Sequence, residues 1–398
     1  MIRVLILHPS DELYGADRVL LESLAALPKG SRIEVWLPCD VDYPERALTH
    51  ELERRGHYVR RMDLPVLRRA NLRLVNAPKL LRQFWATRNA IRNHQPDLVY
   101  VNTAALAPAL VAVPLRKVPK VLHLHEYATG VESFLLSLMY LFAHRIVVVS
   151  DAVLKTLPRR ARARAVVIRN GFELPPPVAK DSHSGQMVFV LASRWNAWKG
   201  HEVLLRSWAQ TQREDARLLV LGGPPSSGET IDVLGLIDDL GITSSVEVIG
   251  ETRDVRSIID GADVILVPSI KPDPFPTIAL EASGAGRAAI VSDTGGLSEI
   301  VVDGISGVTV PPGNVPAWTL AIDSITKEQA AEMGANARSR YEKEFTREIF
   351  TSRMRDLFSS VLNAVRKTSD PWEYDHPIER NGVIDHGVRC YEVEPSIA

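Results

Sequence analysis

The sequence predicts an α/β protein made of two doubly wound parallel-sheet halves, and three observations carry that prediction. Short apolar runs alternate with helix-period segments through residues 1–175. The rhythm breaks at Leu174-Pro175-Pro176-Pro177 and the polar residues up to Gly185, then restarts at Val188. At 398 residues the chain is too long for one ordinary core, so two domains are the default. Helices between successive apolar runs mean crossover connections, which join parallel strands.

The first half reads as strands at 4–7, 33–37, from 58, 98–101, 120–125, 146–149 and 166–168, with helices at 17–27 and 44–55 ending at Gly56. The second half reads as strands at 188–192, 218–221, 246–249, 264–267 and 288–291, with helices at 201–209 and 277–283. The expected units are 1–175 and 186–345, each Rossmann-like, facing each other across a cleft at the carboxyl ends of their strands. A further helical pattern at 346–366 is free to pack back on the first half. The tail at 369–398 has few aliphatic residues and no clear period, so its conformation stays open.

Composition narrows the class. Apolar residues make up 45% and charged residues 24% of the chain, as in an average soluble globular protein. Cys39 and Cys390 are the only cysteines; they form neither a disulfide framework nor a metal knuckle, which favours a reducing cytoplasm. The opening MIRVLILHPS has one basic residue and a short apolar run, so it reads as a first strand and not a signal peptide. The most lipid-like segment, 134–143, is about half the length of a spanning helix. Charge is uneven. Residues 1–175 hold 26 Lys and Arg against 16 Asp and Glu, leaving 21 against 32 for the rest. A basic front half suggests an anionic partner.

The stretch 272–296, PDPFPTIALEASGAGRAAIVSDTGG, follows an apolar strand and places Asp273 and Glu281 on either side of a helix start. Carboxylates there, with free backbone N–H groups below, can grip a polar ligand from two sides. A solvated helix face is the plain alternative. Arg194 and Lys199, in SRWNAWKG, lie between a strand and a helix N-terminus, a good place for a diphosphate. Gly15 precedes the first helix and lets backbone approach a phosphate, although such a glycine is often only a turn. No GxGxxG follows the first strand, which counts against a nicotinamide or flavin enzyme. Alternation puts His123 and His125 on one face of their strand, with His125 at its tip; core packing competes with function there, and no third metal ligand is near. Asp40 and Asp42 form a DxD that reads as a turn. From 64 to 96 seven basic residues (Arg68, Arg69, Arg73, Lys79, Arg82, Arg88, Arg92) and no acid are interleaved with apolar residues. An anionic membrane surface or a polyphosphate acceptor fits this segment 68–92 as well as plain sheet packing does; no nucleic-acid module is recognisable.

Taken together, Gly15, the His125 strand end, Asn170-Gly171, SRWNAWKG, Gly222-Gly223, Gly250, the Asp273-x7-Glu281 segment, Gly295-Gly296 with Glu299, Asp303-Gly304 and Gly307 resemble the family-4 retaining glycosyltransferases of GT-B fold over most of residues 1–365. The resemblance implies that Glu281 holds the ribose of a nucleotide-diphosphate sugar and Asp273 contacts the donor sugar. Arg194 and Lys199 would neutralise the leaving diphosphate, and amides near Phe275, Thr277 and Ile278 would hold sugar or phosphate. Gly15 would lie against the phosphate and His125 would line the reacting face. It further implies a hexose transferred with retention to a glycan or lipid-linked acceptor of envelope or exopolysaccharide assembly, by same-face attack, with no metal and no cofactor, at the inner face of the membrane. The chain departs from the family pattern at Asp273 (usually glutamate), Pro276 (usually glycine) and Tyr14 (usually glycine). These departures raise a second possibility, a nucleotide-sugar-binding scaffold without turnover, and a GT-B epimerase is a third.

Overall fold

The computed structural model describes residues 1–68, 77–113, 118–127, 132–178, 185–225, 229–252 and 254–368. The tail 369–398, with Cys390, and the basic residues Arg69 and Arg73 lie outside them. Seven strands form the first sheet: β1 (Arg3–Leu7), β2 (Arg32–Pro38), β3 (Tyr58–Met62), β4 (Leu98–Val101), β5 (Lys120–Leu124), β6 (Arg145–Val148) and β7 (Ala165–Val167). All pair in parallel, in the order β3-β2-β1-β4-β5-β6-β7. The second sheet holds β8 (Met187–Ala192), β9 (Ala216–Leu221), β10 (Val246–Gly250), β11 (Val264–Val267), β12 (Ala288–Ser292) and β13 (Gly307–Val310) in the order β10-β9-β8-β11-β12-β13. Strands such as VLIL, LVYV and VILV are buried along their whole length, because helices cover both faces of a parallel sheet. The strand order reverses between β1 and β4 and again between β8 and β11. A crevice opens outside the carboxyl ends at each such switch.

Two helices start away from their sequence expectation, each for a local reason. The first runs from Gly15 to Ala25 because the Asp17 carboxylate accepts the Tyr14 N–H at 2.9 Å and so begins the helix two residues early. The second starts at Ala47 because Arg46 adopts a left-handed conformation, φ 44°, which a helix cannot include.

The last helix, Arg347–Thr368, leaves the second half and packs on the first. Its Phe350, Met354 and Phe358 are buried in the core that also contains β1 and β4, and Phe358 meets Tyr100 edge-on with ring centroids 5.5 Å apart. Arg347 pairs with Glu22 of the first helix at 2.6 Å. Where the chain returns, Phe172 pairs through its backbone with Thr346, and the Tyr341 hydroxyl donates to the Phe172 carbonyl. A Cβ on Gly171 would sit 2.3 Å from the Thr346 carbonyl oxygen. Both passages of the chain between the halves therefore lie side by side. Among the described residues no helix is long and apolar enough to cross a membrane.

Candidate active site

The site assembles where the loops after β1 and β5 face those after β8 and β11. After β8, Lys199 ends a single 3-10 turn and Gly200 follows in the left-handed region, φ 80°. A Cβ at Gly200 would lie 1.8 Å from the Pro268 carbonyl oxygen, so only glycine lets this loop lie against the end of β11. The contact delivers Lys199 Nζ to Asp273 Oδ2 at 2.7 Å, with the Ser269 hydroxyl donating to the same oxygen at 3.2 Å. Gly295 secures the other side of Asp273: its φ is 63°, and a Cβ would fall 2.2 Å from the Asp273 carbonyl oxygen. The Gly296 N–H donates to that oxygen at 2.7 Å.

Pro276 then caps the helix Thr277–Gly284 without any side-chain hydrogen bond, so the first amides of Thr277 and Ile278 retain the donor character of a helix N-terminus. The Phe275 side chain is buried edge-on against Phe345, centroids 5.9 Å apart, which leaves only its backbone for a ligand. Glu281, 9% exposed, projects from the second turn.

The first half meets these groups directly. Arg18 Nη1 donates to Glu281 Oε1 at 2.6 Å. Gly15 faces Thr277, where a Cβ on the glycine would approach the Thr277 methyl to 3.1 Å. Arg194 turns to Glu12 at 3.3 Å and covers the Tyr14 ring at 4.7 Å. The Tyr14 hydroxyl donates to Glu251 at 3.1 Å; burial and the Glu251 charge push its pKa up to about 12. Arg194 and Lys199, expected to converge, leave one loop toward different carboxylates.

His125 follows β5 and is half-buried, with Nε2 2.9 Å from Asn102 Oδ1. Desolvation lowers its pKa to about 3, so the ring is neutral. Glu126 beside it is raised by burial, against hydrogen bonds from Thr103, Ala104 and the His125 N–H. Tyr127 is pushed up to about 12 by burial and then by the charges of Asp273 and Glu299 across the cleft. Glu299 itself docks on the first half, accepting from Arg169 at 2.9 Å and from the Ala152 N–H at 2.9 Å.

Sequence reasoning passed over Arg18, Glu12, Asn102 and Tyr127. Only the last carried a signal, lying two residues beyond His125 at a strand end. The basic segment divides in the fold. Arg68 turns inward to Asp40 at 2.7 Å and to the Pro9 carbonyl, whereas the helix Ala77–His94 exposes Leu81 and Trp85 beside Arg82 and Arg88. Among the described residues no three His, Cys, Asp or Glu side chains cluster as metal ligands would.

Comparison with known proteins follows this division of the chain. The model of Glycosyltransferase Family 4 matches residues 15–174, and that of Glycosyl transferases group 1 matches 178–340. A D-inositol 3-phosphate glycosyltransferase of Mycobacterium sp. (strain KMS) is 32% identical over 152 residues, 37% of this chain and 34% of that protein. The one from Corynebacterium kroppenstedtii is 28% identical over 190 residues, 45% of this chain and 41% of that protein. The chain thus spans about a third to two-fifths of the length of these curated relatives. In fold it is similar to Anabaena HepE, solved in complex with UDP and glucose: TM-score 0.73, 21% identity, 90% of this chain and 100% of that one. It is also similar to sucrose-phosphate synthase from Thermosynechococcus elongatus: TM-score 0.72, 18% identity, 92% and 100% covered. With both halves matched and two parallel sheets facing across the site, the chain belongs to the family-4 glycosyltransferases of GT-B fold.

Proposed function

We propose that the protein transfers a hexose from a nucleotide-diphosphate sugar, with retention and without a metal, to a glycan or lipid-linked acceptor of envelope or exopolysaccharide assembly. The observation that carries this reading is Glu281, a buried carboxylate in the second turn of a helix whose first amides are open, eight residues after the Asp273 that Lys199 reaches from the facing loop. Glu281 receives the ribose hydroxyls in exchange for Arg18. Lys199 and Arg194 take up the charge that develops on the leaving diphosphate, which is where preorganised cations lower a barrier most. Asp273 accepts from hydroxyls of the donor sugar, the Thr277 and Ile278 amides meet phosphate or sugar oxygens, and Gly15 keeps the opposite wall low.

Glu281→Ala is expected to abolish detectable turnover and the thermal stabilisation by nucleotide sugars. A panel of UDP-, GDP- and dTDP-sugars checks the binding, because a ligand specific to the folded state raises its stability. Wild-type activity in a folded Glu281→Ala protein would defeat the assignment. Pro276, which has no N–H to offer, favours the second reading of a binding scaffold without turnover. Slow hydrolysis of UDP-glucose by wild type that vanishes in Glu281→Ala eliminates it. The exposed Leu81 and Trp85 among arginines support contact with an anionic membrane surface during lipid-linked transfer; vesicle co-sedimentation tests this.

A further inference from the structure

A chain of polar side chains runs inward from the half-buried His125. His125 Nε2 lies 2.9 Å from Asn102 Oδ1, Asn102 Nδ2 3.0 Å from His8 Nδ1, and His8 Nε2 2.6 Å from Asp17 Oδ1. His8, Asn102 and Asp17 are at most 2% exposed. Topology brings them together: His8, Asn102 and His125 each follow one of the adjacent strands β1, β4 and β5, and Asp17 opens the helix after β1.

Proton positions follow from the Asp17 end. Burial pushes the Asp17 carboxyl up, but hydrogen bonds from His8, Ser10 and the Tyr14 N–H outweigh it and hold the pKa below the usual value. An ionised carboxylate only accepts, so His8 carries a proton on Nε2. Asn102 turns its NH2 to His8 Nδ1, and an amide nitrogen only donates, so Nδ1 accepts and the ring holds its one proton on Nε2. The amide oxygen faces His125, and the proton of His125 must sit on Nε2.

His123 gives the same answer from another direction. It is fully buried, burial holds its pKa well below the usual value, and the neutral ring has one N–H. Its Nε2 has no partner among the described residues, while Nδ1 lies 2.6 Å from the Tyr100 hydroxyl. A stranded buried donor is rarer than a stranded acceptor, so His123 donates from Nδ1 to Tyr100. The Tyr100 proton goes to the nearer acceptor, Asn102 Oδ1 at 2.9 Å, over Ser23 Oγ at 3.3 Å. Both lines orient the Asn102 amide alike. His125 Nδ1 is left without a hydrogen bond among the described residues.

We infer that Asp17, acting through His8 and Asn102, holds His125 in its Nε2–H tautomer, so that the Nδ1 lone pair accepts a hydrogen bond from a sugar hydroxyl in the cleft. The sugar role rests on the transfer reading above; the tautomer does not. Asp17, His8 and Asn102 are positioning residues. One conservative change should reverse them. In Asp17→Asn the Tyr14 N–H still requires the side-chain oxygen, so the amide nitrogen turns to His8. His8 then moves its proton to Nδ1, Asn102 flips while the Tyr100 hydroxyl turns its proton to Ser23 Oγ at 3.3 Å, and His125 is left protonated on Nδ1.

Nitrogen-15 NMR of the full chain labelled at its 11 histidines, with His125→Gln to assign the signals, reads which ring nitrogen carries the proton. The expected result is Nε2–H in wild type and Nδ1–H in Asp17→Asn. Hydrolysis of UDP-glucose should slow by at least about 10-fold at nearly unchanged KM, since a histidine left in the wrong tautomer by an Asp→Asn change costs up to about 10⁴ in kcat. Nδ1–H in wild type overturns the inference, and so does an unchanged His125 tautomer in a folded Asp17→Asn protein. If that variant fails to fold, the wild-type spectrum alone decides. Wild type with the Nε2–H tautomer but no turnover of any nucleotide sugar sinks the transfer reading and the sugar role of Nδ1, while the relay stands.

Discussion

A carboxylate held away from water is costly when unpaired, and Glu281 is paired: Arg18 holds it at 2.6 Å from the opposite half. Glu12 does the same for Arg194 at 3.3 Å. Histidines show the converse, groups kept neutral. Desolvation lowers His125 to a pKa of about 3 and His201 to about 4, the latter helped by Lys199. The unfolded chain protonates these rings near their ordinary value of about 6.5, so it binds more protons than the folded protein at lower pH. Their contribution is fully present above that value and is lost as pH falls toward the folded values. The melting temperature should therefore decline from about pH 6.5 downward, and His125→Gln should decline less; parallel curves for the two proteins would contradict this. At this scale the sequence was readable only in part. Asp273, Glu281, Lys199 and Gly15 stand in ordered motifs, and the fold gathers them at one cleft. Arg18 and Asn102 were hidden because their partners come from other elements, and only strand order makes them neighbours.

Among the elements, the loop after β12 shows how two glycines place an acid. Gly295 at φ 63° leaves no space for a Cβ beside the Asp273 carbonyl, and the Gly296 N–H ties that carbonyl down. Gly295→Ala should cost about 1–2 kcal/mol for the left-handed backbone alone, and it should also move the Asp273 turn. Gly313→Ala is the control, since φ there is 74° but nothing lies within 4 Å of the added carbon. Melting curves should show both variants destabilised, whereas UDP-glucose hydrolysis should fall only in Gly295→Ala. Equal activities would mean that the turn tolerates displacement. Strands were the most legible elements, because burial on both faces writes them as unbroken aliphatic runs. Helix starts were less so, since Tyr14 and Arg46 end their loops through a side-chain hydrogen bond and a backbone conformation that periodicity does not record.

For the molecule as a whole, the uneven charge has an internal use that composition could not reveal. Arg18–Glu281 and Arg169–Glu299 join the basic half to the acidic half, so part of the expected anionic partner is the chain itself. Of the other basic residues, Arg82 and Arg88 stand on the helix Ala77–His94, where Arg82 meets Asp63 at 3.3 Å at the exposed surface. Replacing Arg82 and Arg88 by glutamate should weaken binding to phosphatidylglycerol vesicles by about 30-fold or more, given about 1 kcal/mol for each basic residue near an anionic surface; Arg68→Ala, which removes an inward pair, should not. Undiminished binding by the double variant would remove this helix from the membrane contact. The paired passages at Phe172 and Thr346 have one more consequence. Two segments crossing at a single point should act as the pivot for any turning of one half against the other. Separation then grows with distance from the pivot. Arg169–Glu299, three residues from Phe172 along the chain, is placed to survive small openings that already part groups farther out.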